Sequence, residues 1–184
     1  GLKVVMPATP YDAKGLMIAA IREPNPVVFI DDRWLYGLTA EVPREIYEVP
    51  IGKGKIVWEG TDVTLVASSF LVHEALKAAS LLTAEGIETE IIDLRTVKPL
   101  DKELILSSVN KTGRLVIADG GWRTCGLAAE VAALAGEHAF ASLKAPIMRV
   151  TLPDCPAPAS RILEQAYYRT GEDIAGAVKR IMKA

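Results

Sequence analysis

From Ile56 onward the chain alternates, and that alternation constrains the fold more than any single motif. Short apolar runs at Ile56–Glu59, Val63–Ala67, Ile87–Leu94, Arg114–Ala118 and Pro146–Leu152 are separated by helical-period segments. Strands joined through helices pair in parallel, so the pattern predicts a mostly parallel sheet with helices on both faces. The expected class is α/β: three layers around a five-stranded sheet. The clearest helix spans Phe70 to Glu85, with Leu71, Val72, Ala75, Leu76, Ala79 and Leu82 on one face. Gly86 follows at the position where helices turn left-handed. Asp101 caps a helix that runs through Val109 and is ended by Lys111-Thr112-Gly113. After Pro153, Pro156 and Pro158 form a rigid loop, Asp173–Met182 makes a terminal helix.

Arg114 to Glu130 (RLVIADGGWRTCGLAAE) organises this half. It reads as a buried strand, a turn at Gly120-Gly121 and an Ala-rich helix opened by Gly126. Open α/β sheets place their ligands and contacts at such strand ends. The full GxGxxG phosphate fingerprint is absent.

The first residues are built differently. Lys3–Met6 is a short strand, Thr9 caps a helix with Pro10 at its first position, and Pro26–Ile30 is a second strand. This βαβ unit over residues 1–31 cannot form a core alone. Residues 32–55 carry Gly37, Pro43, Pro50, Gly52 and Gly54 among mixed charges, which predicts a linker crossing between domains. The first residue is Gly1, not Met, so the expectation is a processed chain or a piece of a longer one.

Composition narrows the function classes. Half of the 184 residues are hydrophobic, net charge is −2, and Lys and Arg are scattered. That leaves neither a nucleic-acid footprint nor a polybasic membrane patch. The apolar runs are too short to span a bilayer. Cys125 and Cys155 stand without further cysteines, so neither a disulfide framework nor a zinc site is indicated. A reducing compartment, the cytoplasm, is expected.

Catalytic signatures are nearly absent. His73-Glu74 lacks the second histidine of HExxH, no serine sits in GxSxG, and Gly52-Lys53-Gly54-Lys55 is not a phosphate loop. His73 reads as a packing or surface residue, His138 as surface, and Cys125 as a small packing residue. Two stretches carry sharper hypotheses. At Ala20-Ile21-Arg22-Glu23-Pro24-Asn25, helix-end carbonyls lie beside a carboxylate and an amide, which is either an ordinary helix end or an oxygen-donor site for a hard cation. At Asp93 to Asp101, Arg95 and Lys98 precede a capped helix, either as a plain loop or as a charged contact with a partner or neighbouring domain.

The stretches LKVVMPATPYDAKGLMIAAIREPNPVVFI, PIGKGKIVWEGTDVTLVA, HEALKAASLLTAEGIETEIIDLRTVKPLD, ADGGWRTCGLAAEVAA and APIMRV resemble, in order, the C-terminal part of a family of beta subunits. These belong to the thiamine-diphosphate-dependent 2-oxo acid dehydrogenases (pyruvate or branched-chain type) of the transketolase superfamily. The resemblance implies that residues 1–47 end a pyrimidine-binding domain and that residues 48–184 form a transketolase C-terminal domain. It implies oxidative decarboxylation with acyl transfer to lipoamide by the whole enzyme. The catalytic glutamate and substrate-binding histidine would lie upstream, and the partner alpha subunit would hold the cofactor's pyrophosphate. The chain itself then carries no catalytic or thiamine-binding residue and serves assembly.

The resemblance further implies potassium ligands at Ala20, Ile21, Glu23 and Asn25, with Glu23 standing where the family has Asp. It implies contacts to the alpha subunit, to a second beta subunit and to a lipoyl acyltransferase core. Asp119, Trp122 and Arg123 are then interface candidates, with Trp122 as anchor. The family has an acidic residue before the Ala-Pro of the last strand, where it pairs with a basic residue of the acyltransferase. Here Lys144 stands there, which reverses the charge. Two alternatives remain: a non-catalytic α/β binding or oligomerisation module, and a deoxyxylulose-phosphate synthase or transketolase-like C-terminal domain.

Overall fold

The computed structural model describes residues 1–184. Strands are β1 (Lys3–Val5), β2 (Val27–Phe29), β3 (Lys55–Trp58), β4 (Val63–Ala67), β5 (Thr89–Asp93), β6 (Thr96–Lys98), β7 (Leu115–Trp122) and β8 (Met148–Leu152). Helices are α1 (Pro10–Arg22), α2 (Phe70–Thr83), α3 (Lys102–Thr112), α4 (Leu127–His138), α5 (Arg161–Tyr167) and α6 (Gly171–Ile181). No helix is long and apolar enough to cross a membrane.

The larger sheet has the order β3-β5-β4-β7-β8. Strands β5, β4, β7 and β8 are parallel, and β3 closes one edge antiparallel to β5. Alternation along each strand sorts the core into two layers. Val63, Leu65 and Ala67 join Val116 and Ala118 under α2 and α6 in a cluster of 19 buried residues. Val66, Leu115 and Ile117 point the other way, under α3 and α4, in a cluster of 12. The three-layer α/β architecture expected from the alternation is the one observed.

The smaller sheet has the order β2-β1-β6. β1 and β2 pair in parallel across α1, whose N-terminus Thr9 caps by accepting from the Asp12 amide. β6, from the C-terminal half, adds antiparallel to the other side of β1. The Asp93–Asp101 stretch therefore contains a strand, where the sequence suggests only a loop. Its core is small: Val5, Leu16 and Val49.

The linker docks on α1. A Cβ on Gly15 would lie 2.5 Å from Val49 Cγ2, so glycine is what lets Val49 and Tyr47 lie against the helix. Arg95, at φ 55°, faces the same junction. Its guanidinium lies 2.6 Å from Asp12 Oδ1, with both side chains buried. Of the two roles open to this stretch, Arg95 takes that of a charged contact with the neighbouring segment.

Two features differ from expectation near Gly120. The strand does not stop at Ala118; β7 runs through both glycines to Trp122. Asp119 pairs with Thr151 and Trp122 with Leu152, so Gly120 and Gly121 form a bulge against β8. Neither glycine has positive φ; in this loop Cys125 does, at 57°. The second difference is α5, which follows the proline loop unannounced. Ile162 and Leu163 on it are exposed, so no inward apolar period marks it.

Candidate functional site

The carboxyl ends of β4, β5 and β7 share one trait. Each is followed by a non-glycine residue with positive φ: Ser69 (53°), Arg95 (55°) and Cys125 (57°). Such conformations cost about 1–3 kcal/mol each and persist only where surrounding structure imposes them. Ser69 opens α2 with ψ −133° and makes no side-chain cap. It is 2 % exposed, and its Oγ has no hydrogen-bond partner.

Beside Ser69 lies a cleft of about 990 Å³, between the carboxyl edge of the larger sheet and the segment after β2. Ser68, Ser69, Asp119, Gly120 and Gly121 line its sheet side. Trp34, Phe70 and Tyr168 give it an aromatic wall, with Trp34 5.4 Å from each of the other rings, centroid to centroid. Asp119 shapes the turn. It is 6 % exposed, Oδ1 accepts from the Gly121 amide at 2.9 Å, and Oδ2 accepts from the Ala128 amide at 2.9 Å. A carboxylate on the first turn of α4 suits the helix dipole. Gly126 is required there because a Cβ would lie 2.3 Å from the Trp122 carbonyl oxygen.

The other interface candidates spread over the outside. Trp122 is 53 % exposed and donates Nε1 to Tyr167 Oη at 3.2 Å; Tyr167 in turn donates to the Cys155 carbonyl. Arg123 and Arg149 each donate to the other's carbonyl. Lys144 lies away from these residues and donates Nζ to the Thr112 carbonyl at 3.2 Å, so its charge sits at the C-terminal end of α3. Its stem lies over Gly113, where a Cβ would come within 2.7 Å of it.

Cys125 is exposed, at φ 57°, which corrects its reading as a packing residue. His73 packs as a bridge, with Nε2 2.7 Å from the Ala8 carbonyl oxygen.

Ala20, Ile21, Glu23 and Asn25 do lie together at the end of α1. The Glu23 carboxylate is already occupied: Lys3 donates to Oε2 at 2.5 Å and Asn25 Nδ2 to Oε1 at 2.8 Å. The Lys3 hydrogen bond, then that from Asn25, holds its pKa below the usual carboxylate range.

The buried glutamates are engaged as well. Glu74 accepts from Lys77 and from the Gly171 amide, and Glu90 from Ser108 and Lys111. Neither is free to face the aminopyrimidine of a thiamine cofactor. These residues do not fit that group, and no chemical step is assigned to them.

The sheet order and the two helical layers define a three-layer α/β domain. Residues 52–174 match the family described as "Transketolase, C-terminal domain", and the chain belongs to that family. Over its whole length it is similar to subunit beta of the acetoin:2,6-dichlorophenolindophenol oxidoreductase of Cupriavidus necator, at 48% identity over 183 residues. It is 47% identical over 185 residues to the pyruvate dehydrogenase E1 component subunit beta of Acholeplasma laidlawii. Identity to the same subunit of Bacillus subtilis is 42% over 184 residues. These matches cover 100% of this chain but 54%, 56% and 56% of the relatives, so the chain spans about half their length. A solved structure, "Split gene transketolase, inactive beta4 tetramer", superposes with TM-score 0.83 at 28% identity, covering 99% of this chain and 58% of that one.

Proposed function

We propose that the chain is the C-terminal part of the beta subunit of a thiamine-diphosphate-dependent 2-oxo acid dehydrogenase, and that it serves assembly rather than chemistry. The observation that carries this is the match to such beta subunits along the entire chain, through the N-terminal βαβ unit as well as the family domain. Residues 1–47 then end the pyrimidine-binding domain, and residues 48–184 form the domain that supports it. Strand β6 and the Asp12–Arg95 pair are the joint between them. The whole enzyme decarboxylates a 2-oxo acid and passes the acyl group to lipoamide, in the cytoplasm, with an alpha subunit and a second beta subunit as partners.

A second reading concerns the substrate. Identity to the acetoin-oxidising relative equals that to the pyruvate relative within a percentage point. Acetoin therefore stands beside pyruvate as the compound cleaved.

The test is reconstitution of the complete beta subunit with its alpha subunit, assayed for dichlorophenolindophenol reduction with pyruvate and with acetoin. Turnover of either supports the proposal. No turnover of any 2-oxo acid or acetoin, with no alpha association, overturns it. Docking to an acyltransferase core is tested by Lys144→Glu, which restores the family's charge; binding should rise about tenfold if one charge pair governs it. A potassium ion at Ala20, Ile21, Glu23 and Asn25 would compete with Lys3 for Glu23. Potassium titration should therefore respond more strongly in Lys3→Met than in the parent chain.

A further inference from the structure

The larger sheet has a point where its winding reverses. From β4 the chain passes through α2 to β5 on one side, then through α3 to β7 on the other side of β4. Helix α2 leaves β4 toward one face, and α4 leaves β7 toward the opposite face. The turns after neighbouring β4 and β7 thus diverge, and a crevice opens between them. Open α/β sheets bind ligands at such a switch point.

The cleft described above lies there: Ser68 and Ser69 come from the end of β4, and Asp119 to Gly121 from the end of β7. Its volume, about 990 Å³, suits a small organic ligand. Ser69 supplies the second, independent sign. Its hydroxyl is buried, unpartnered and held at the first turn of α2, a 14-residue helix with no acidic residue in that turn and no side-chain cap. A buried hydroxyl without a partner is unfavourable, and a ligand acceptor would satisfy it. The helix end adds a partial positive charge. Asp32, Glu74, Asp119, Glu164 and Glu172 share the cleft with Lys77, Arg161 and Arg169, so the lining as a whole does not select an anion; the unpartnered hydroxyl of Ser69 at the helix start does. The rings of Trp34, Phe70 and Tyr168 offer faces to a planar body.

We infer that this cleft binds a small aromatic anion, its phosphate or carboxylate against Ser69 at the start of α2 and its ring against the aromatic wall. The site is independent of the thiamine chemistry proposed above.

Calorimetric titration of the full chain tests it with four probes: phenyl phosphate, benzoate, inorganic phosphate and phenol. The expected result is that phenyl phosphate or benzoate binds about tenfold more tightly than inorganic phosphate and phenol. Whichever of the two binds identifies the anion as phosphate or carboxylate. Ser69→Ala should weaken that binding about tenfold without lowering Tm, because the hydroxyl has no partner to lose. Ser69→Gly, which relieves the positive φ, should weaken it equally and covers failure of the alanine variant to fold. No binding up to about 10 mM by any probe, phenol binding as well as the anions, or unchanged affinity in both variants overturns the inference.

Discussion

The larger sheet is covered on both faces and the smaller on one. Strands β4 and β7 lie between two helical layers, over clusters of 19 and 12 buried residues. Strand β1 rests on α1 and a cluster of three: Val5, Leu16 and Val49. Burial scales with stabilisation, so within these residues the larger sheet gains far more from packing than the smaller. The smaller sheet is also tied to the C-terminal half by polar contacts. β6 pairs with β1, Arg95 meets Asp12, the Arg95 carbonyl accepts from the Met6 amide, and Ala8 meets His73. One region is made by packing, and the other by a polar joint.

Four measurements would break or sharpen that contrast. The largest effect is expected from Leu65→Ala, a fully buried side chain in the centre of the larger sheet. It should cost about 3–5 kcal/mol, with all probes unfolding together in urea. Next, Asp12→Ala leaves the Arg95 guanidinium buried without its partner and should cost about 3 kcal/mol. Hydrogen exchange should show β1 and β2 losing protection while β4 and β7 keep theirs. Equal loss in both sheets would mean the joint is not separable from the core.

The third measurement uses pH. Burial raises the Asp93 pKa from 3.8 to about 7, against the lowering effect of the Arg95 amide hydrogen bond. Its other oxygen, Oδ2, has no partner. The folded state then holds a proton that the unfolded state releases between these values. Its contribution is complete below pH 3.8 and is lost as pH rises through about 7. The ceiling is roughly 4 kcal/mol. Asp93→Asn should flatten stability against pH over this window; an unchanged slope would remove Asp93 from the account. The smallest effect belongs to Lys144→Met, which loses a donor and a charge at the end of α3 and should cost under about 1 kcal/mol.

The fold was legible where one period controls one element. Thr9, Asp101 and Gly113 act at the helix ends their residue types predict, because a cap needs only its own neighbours. The candidate sites were less legible. At the interface candidates Asp119 and Lys144 the sequence shows charge but not the amides and the carbonyl that each meets within the chain. Ser69 carried no signal, because its buried hydroxyl and positive φ arise only when β4, α2 and the cleft are assembled.

By itself the sequence determined the alternation of strands and helices, the burial of the strands at Val63–Ala67 and Arg114–Ala118, and the change from an irregular start to a regular second half. These follow from side-chain period, which is local. Only the tertiary structure decided that Thr96–Lys98 is a strand, that Gly120-Gly121 is a bulge within β7, and that the first residues join the second half through Arg95. Each depends on a partner far along the chain, and a local pattern cannot name that partner.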